Sequence, residues 1–342
     1  MEQTKSSSEN FLNLFDMTNV AKIIGIDISK EKFDVCFSSI NGNCTSCSYA
    51  YDKNGIKSFL KDVPQNSICI MEATGVYHLK LAYALYEKDI FVSVVNPLSA
   101  KNFSRAVMCR TKTDKSDAKQ LVEYAKKMDL VKWEPTADNY IRIQQMYRSI
   151  ELLQINITQA NNQIEAILNS PIYDKTLLVM LQKHIKHLRK CIERLEEQIE
   201  KSICEDDASA IKRICSIPGV GKKTAIAILT STKGLRHFYN YRQVSSYFGL
   251  CPRIYDSGKS VHGKAHICKM GMGWIRKLLY MCSISAIRYN SACAALYERL
   301  REKGKPVKVA MIAVVNKLLK QIFAIVKNNC FYDENFSKNI CF

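Results

Sequence analysis

The chain has 342 residues, 47% hydrophobic and 24% charged, which excludes a disordered or fibrous protein and exceeds one small core. Fifty Lys and Arg against 32 Asp and Glu give a formal net charge of +18, which points to a polyanionic partner. Fourteen scattered cysteines form no spaced framework and read as reduced, cytosolic thiols, and the lone Cys44/Cys47 pair lacks the second pair or His partners of a zinc site.

Residues 1–21 are polar, with acidic members and no basic start before an apolar run, so a disordered leader rather than a secretory signal is expected. No uninterrupted apolar run reaches about 18 residues, so no membrane span or membrane partner is expected. From Lys22, KIIGIDIS and then Phe33 to Ser38 read as apolar, β-branched strands, and Asn41-Gly42 turns the chain into a third strand, Cys44 to Tyr51. A helix near Gly55 to Lys61, a strand Ser67 to Met71, a helix Val76 to Lys88 and a strand Ile90 to Val95 follow. Three meander strands and then alternating helices and strands are the order of an α/β ribonuclease-H-like (RNase H-like) domain, expected over 22–136.

The middle, 137–207, has another rhythm. Ile143, Met146, Ile150, Leu153, Ile157, Ala160, Ile164 and Ile167 keep a 3-4 apolar spacing, which resumes after Ser170-Pro171 in Leu178, Leu181, Ile185, Leu188, Ile192, Leu195 and Ile199. Two long antiparallel helices forming a coiled-coil arm are predicted, with two core helices of a bundle as the alternative; the narrow seam and polar flanks favour the arm. A mainly α carboxyl-terminal domain, 208–330, and a tail, 331–342, complete the chain. The densest cationic stretch runs from Lys259 through Lys277.

Four acids stand out. Asp27 lies inside an apolar strand run, where an unpaired charge is costly to bury, and Glu72 ends a strand just before the Thr74-Gly75 turn. Asp114 and Asp117, three apart at a helix start, share a face, although acids there are also favoured simply by the helix dipole. Four carboxylates at one sheet end repel one another unless a cation neutralises them, and hard oxygen donors select Mg²⁺ or Mn²⁺.

The strings GIDISKEKFDV, MEATGVY, VVNPLSAKNF and RTKTDKSDA, in that order, resemble the RuvC-like DEDD domain of the IS-one-ten (with IS-eleven-eleven) insertion-sequence transposases. The resemblance implies that Asp27, Glu72, Asp114 and Asp117 are the catalytic metal-binding tetrad.

In the last third, SIPGVGKKTA has the turn of a helix-hairpin-helix, where Gly219 and Gly221 would let backbone amides approach a DNA phosphate beside Lys222 and Lys223; an ordinary interhelical turn reads the same. FGLCPRIYDSGKSVHGKAHICKMG resembles the same family's carboxyl-terminal domain, which implies that Ser257 is a nucleophile forming a covalent DNA intermediate. Ser260 is its internal competitor. Lys259, His262, Lys264, Lys269, Arg276 and Lys277 are expected to hold phosphates rather than read bases, each with the alternative of a solvated charge.

The two coiled-coil helices make a homo-oligomer, dimer or tetramer, the expectation, and the resemblance implies a bacterial, cytoplasmic and nucleoid-associated protein. It would act on donor and target DNA under the guidance of a structured non-coding bridge RNA, for which the sequence itself offers only its charge and the aromatics Tyr239, Tyr241 and Tyr247. The competing reading is a RuvC-like nuclease or Holliday junction resolvase that uses water and has no need of Ser257.

Overall fold

A computed structural model describes residues 22–38, 44–108, 113–253, 256–257, 261–262 and 266–334, with the backbone alone at 114, 115, 256, 257, 261 and 262. The chain forms two compact units, Met1–Pro135 and Thr136–Phe342. The expected leader lies outside the described residues, as do Asn41-Gly42 and the tail beyond Glu334.

The first unit is a mixed sheet with helices on both faces. Strands β1 (Lys22–Ile28), β2 (Lys32–Ser38) and β3 (Cys44–Ala50) run antiparallel, followed by α1 (Lys53–Asp62), β4 (Ser67–Glu72), α2 (Tyr77–Tyr86) and β5 (Phe91–Val95). Helices α3 (Pro97–Ala106) and α4 (Asp114–Lys127) close the unit. The sheet order is β3-β2-β1-β4-β5, with β4 parallel to both β1 and β5.

Alternation along each strand sorts side chains between the faces. Ile24, Ile26, Phe33, Val35 and Met71 pack with Phe59 of α1 and Leu81 and Leu85 of α2. Each such large side chain removed from water contributes about 1.5–3 kcal/mol. The other face takes α4: Ala118 and Val122 pack on Cys36, while Leu121 and Ala125 pack on Ile70 and Val95. Cys44 and Cys47 divide between these two faces, as residues three apart in a strand must, so they cannot share a zinc ion. Burial pushes the Cys36 thiol up to about 12.

The second unit is mostly helical. Helices α5 (Asp138–Leu168) and α6 (Lys175–Lys201) form a long pair, followed by α7 (Glu205–Cys215), α8 (Lys222–Ser231) and α9 (Tyr241–Tyr247). Four two-residue strands, β6 (Pro252–Arg253), β7 (Asp256–Ser257), β8 (Val261–His262) and β9 (His266–Ile267), precede α10 (Gly273–Tyr289), α11 (Ser291–Glu302) and α12 (Val307–Asn328).

Every residue of the 3-4 seam is buried or half-buried along α5 and α6, whereas Leu152, Ile155, Val179 and Met180 beside it are exposed. The base of the pair is not a free arm. Ile143, Tyr147, Ile150 and Ile199 share one core with Ile214, Phe248, Leu279 and Leu318. Tyr147 stacks on Trp274 at 5.5 Å, and the Tyr140 hydroxyl donates to Asp207 at 2.7 Å. The pair and the helices after it therefore form one unit. Among the described residues α12 is long and apolar enough to cross a membrane, yet its Val314, Val315, Leu318 and Leu319 belong to that same core.

Candidate active site

Asp27 is the penultimate residue of β1 and Glu72 the last of β4. These strands are parallel and paired as far as Ile26↔Met71, so the two acids stand side by side at the carboxyl ends, where open α/β sheets bind ligands. Asp27 is two residues from Gly25, and Glu72 two from Ile70, so both belong to the α4 face. Alternation fixes that shared direction.

Helix α4 supplies the third acid. Its N-cap is Thr113, whose hydroxyl accepts from the Ser116 amide at 3.2 Å while the Ser116 hydroxyl accepts from the Thr113 amide at 2.8 Å. That reciprocal box sets the first turn and leaves Asp117 free of capping duty. Asp117, one turn before the sheet-packed Leu121, joins Asp27 and Glu72 around one cleft of about 360 Å³. The side chain of Asp114 lies outside the described residues.

Gly25 makes this geometry possible, and the sequence reading missed it. A Cβ built there would lie 2.0 Å from the Ala118 carbonyl oxygen and 3.0 Å from Val122. No larger residue lets α4 seat on β1 beside Asp27. A further acid was also missed: Asp34, 3% exposed, is the cross-strand partner of Asp27. The Lys32 ammonium at 2.8 Å and the Ser48 hydroxyl compensate its buried charge.

The opposite wall of the cleft belongs to α3, which presents Lys101, Ser104 and Arg105. Asn96 caps this helix on the Leu98 amide at 2.9 Å. The Ser104 hydroxyl bonds Gln120 of α4, and Phe103 meets Tyr124 edge-on at 5.2 Å, so the two helices are tied at the cleft itself.

The donor set suits a hard divalent cation in kind, since it is carboxylate oxygen at a sheet end. Among the described residues, no three His, Cys, Asp or Glu side chains are gathered closely enough to share one ion. Asp27, Glu72 and Asp117 therefore border the cleft rather than forming a closed cage.

In the second unit, β6 pairs with β9 and β7 with β8, which places Ser257 opposite Val261 in the inner rung of a nested hairpin. Its base is closed by the Cys268 amide donating to the Cys251 carbonyl at 2.9 Å and the Lys269 amide to Gly249 at 3.1 Å. The side chains of Ser257 and His262, and the whole of Lys259, Ser260 and Lys264, lie outside the described residues.

Several of the other expected phosphate contacts are engaged within the protein, and others are open. Lys222 pairs with Glu200 at 2.7 Å and Lys223 with Glu196 at 3.0 Å, both acids on α6. Arg276 donates to the Phe248 carbonyl at 2.9 Å, fixing the turn after α9. Gly219, at φ +95°, has the Ala286 amide 2.6 Å from where its Cβ would be, so its missing side chain serves packing on α10. Gly221 caps α8 with open space around it, and Lys277 is exposed. Tyr241 lies under Lys320, and Tyr239 is exposed.

Comparison with known proteins bears on the same regions. Residues 24–171 match a DEDD transposase family of the IS110 type, and residues 211–298 match the transposase IS116/IS110/IS902 family. The chain is 31% identical over 321 residues to the pilin gene-inverting protein of Moraxella bovis, covering 91% of this chain and 97% of that protein. It is 22% identical over 348 residues to the transposase for insertion sequence element IS1328 of Yersinia enterocolitica, covering 93% and 100%. Identity to the transposase for insertion sequence element IS1111A of Coxiella burnetii is 22% over 336 residues, 89% of each chain.

Proposed function

The chain belongs to the IS110 family of transposases, enzymes that cut and rejoin DNA, and on that premise we propose that its two units divide the chemistry between a metal-binding carboxylate cleft and a serine nucleophile. The observation that carries this reading is the single cleft bordered by Asp27, Glu72 and Asp117 at the carboxyl ends of parallel strands. The order β3-β2-β1-β4-β5 supports an RNase H-like, RuvC-like identity for the first unit, and the α7–α8 turn a helix-hairpin-helix in the second.

Asp27, Glu72 and Asp117, with Asp114 on the same first turn, would hold Mg²⁺ or Mn²⁺. A bound divalent ion would offset the charge that builds on a phosphate under attack. The Ser257 hydroxyl oxygen bonds to phosphorus as the bridging P–O bond breaks, the serine proton is lost and the departing strand oxygen takes up one, so the phosphodiester energy is retained in a serine–DNA ester for rejoining. This requires Ser257 to reach the acids in the assembled protein, from the same subunit or another. A homo-oligomer built through the exposed apolar flank of α5 and α6, and a bridge RNA on the basic surface, complete the reading of a cytoplasmic, nucleoid-associated enzyme.

The relative in Moraxella bovis is named for inverting a gene, so inversion of a DNA segment is a second outcome of the same chemistry, favoured by its 31% identity over most of both chains. Mn²⁺ titration followed by electron paramagnetic resonance tests the cleft. Asp27→Asn and Glu72→Gln should each weaken Mn²⁺ binding and abolish DNA nicking. Undiminished nicking by either variant would remove the cleft from the reaction.

A further inference from the structure

Two cations stand on the cleft wall without a partner among the described residues. Lys101 and Arg105 of α3 face the cleft bordered by Asp27, Glu72 and Asp117, and both are exposed. Among the described residues neither the ammonium nor the guanidinium has an ion pair or hydrogen bond. Their four-residue spacing sets them on one face of α3, about 6 Å apart along its axis. The wall they stand on is fixed by the Asn96 cap, the Ser104–Gln120 bond and the Phe103–Tyr124 contact, so α3 can hold a ligand against the acids without a change of fold.

A cleft of carboxylates alone repels a phosphodiester. Cations on the facing wall reverse that for a strand whose charges recur along its length, and a guanidinium additionally matches two phosphate oxygens at once. We propose that Lys101 and Arg105 grip consecutive phosphates of the DNA strand entering the carboxylate cleft, so that α3 sets which phosphate faces the acids. This rests on the cleft's assignment to DNA processing.

Fluorescence anisotropy of the full chain on a labelled 40-base-pair mixed-sequence duplex, titrated with salt, tests it. Lys101→Ala/Arg105→Ala removes two phosphate contacts, so the slope of log affinity against log salt should flatten by about 1.8. Affinity at low salt should fall at least about tenfold. Lys57→Ala/Lys61→Ala, two exposed cations of α1 on the other face of the sheet, removes equal charge and should leave the slope unchanged. Retained Mn²⁺ binding by the α3 variant reports an intact cleft.

An α3 variant with the parent slope, or an equal flattening in the α1 variant, overturns the clamp while leaving the cleft assigned. A parent chain without salt-dependent binding overturns the DNA-processing assignment and the clamp together.

Discussion

The acids and the serine are carried by opposite kinds of scaffold. Asp27, Glu72 and Asp117 stand on two parallel strands and a helix whose inner residues, Ile26, Met71 and Val122, are fully buried, so packing over the whole first unit fixes their positions. Ser257 stands on a two-residue strand paired with β8, and the hairpin is closed at its base by backbone bonds between residues 249–253 and 266–269. A rigid platform suits groups that must hold an ion or phosphate in fixed geometry. A short hairpin would suit the nucleophile proposed for Ser257, which has to reach a strand and carry it.

Substitutions that remove chemistry without touching the scaffold should separate these regions most widely. Asp27→Asn should lower the single-turnover cutting rate by at least about 10³-fold, with denaturant unfolding of the first unit nearly unchanged. Comparable loss of cutting and of stability would make Asp27 a folding residue instead.

Gly25→Ala attacks the platform. Its Cβ would meet the Ala118 carbonyl, so α4 must shift, at a cost of about 1–3 kcal/mol in urea unfolding and with weakened Mn²⁺ binding. Gly258→Ala, a substitution in the second unit, should leave the first unit's unfolding where it was. If Gly25→Ala is neutral in both measurements, close seating of α4 does not position the acids.

A smaller effect distinguishes structural from DNA-facing lysines. Both partners in the Lys222–Glu200 and Lys223–Glu196 pairs are well exposed, so Glu196→Gln/Glu200→Gln should cost no more than about 1 kcal/mol in thermal unfolding. Lys222→Ala/Lys223→Ala should change the salt slope of DNA binding less than the α3 variant does. A larger change would return these lysines to the DNA surface.

The smallest effect is chemical. Burial pushes the Cys36 thiol up to about 12 and Cys293 to about 11, so at pH 8 both are almost wholly protonated. Iodoacetamide on the folded protein should spare them and label exposed Cys330. Rapid labelling of Cys36 would mean that α4 opens readily from the sheet.

The same contrast explains what the sequence made legible. Asp27 was conspicuous because a charge inside KIIGIDI is expensive, and Glu72 because it ends an apolar strand. Gly25 was silent because its constraint comes from the Ala118 carbonyl on a helix far along the chain. Asp34 hid in strand alternation, its partners Lys32 and Ser48 set by β2 and its pairing with β3. Local charge suggested phosphate contacts for Lys222 and Lys223, while their acidic partners lie on α6. Similarly, the packing of Gly219 against Ala286 of α10 was silent, because Ala286 lies far along the chain. Ser257 carries no burial or spacing signal, and its role rests on family likeness.

The division of chemistry between the two regions is tested most directly by mapping the protein–DNA adduct. The full chain is incubated with Mg²⁺, its element-end DNA and any flanking RNA, then digested, and the nucleotide-linked peptide is sequenced by mass spectrometry. A nucleotide ester on Ser257, absent from Ser257→Ala and from Asp27→Asn, is the predicted result. Cut strands with no adduct, or an adduct that persists in Ser257→Ala, would contradict it.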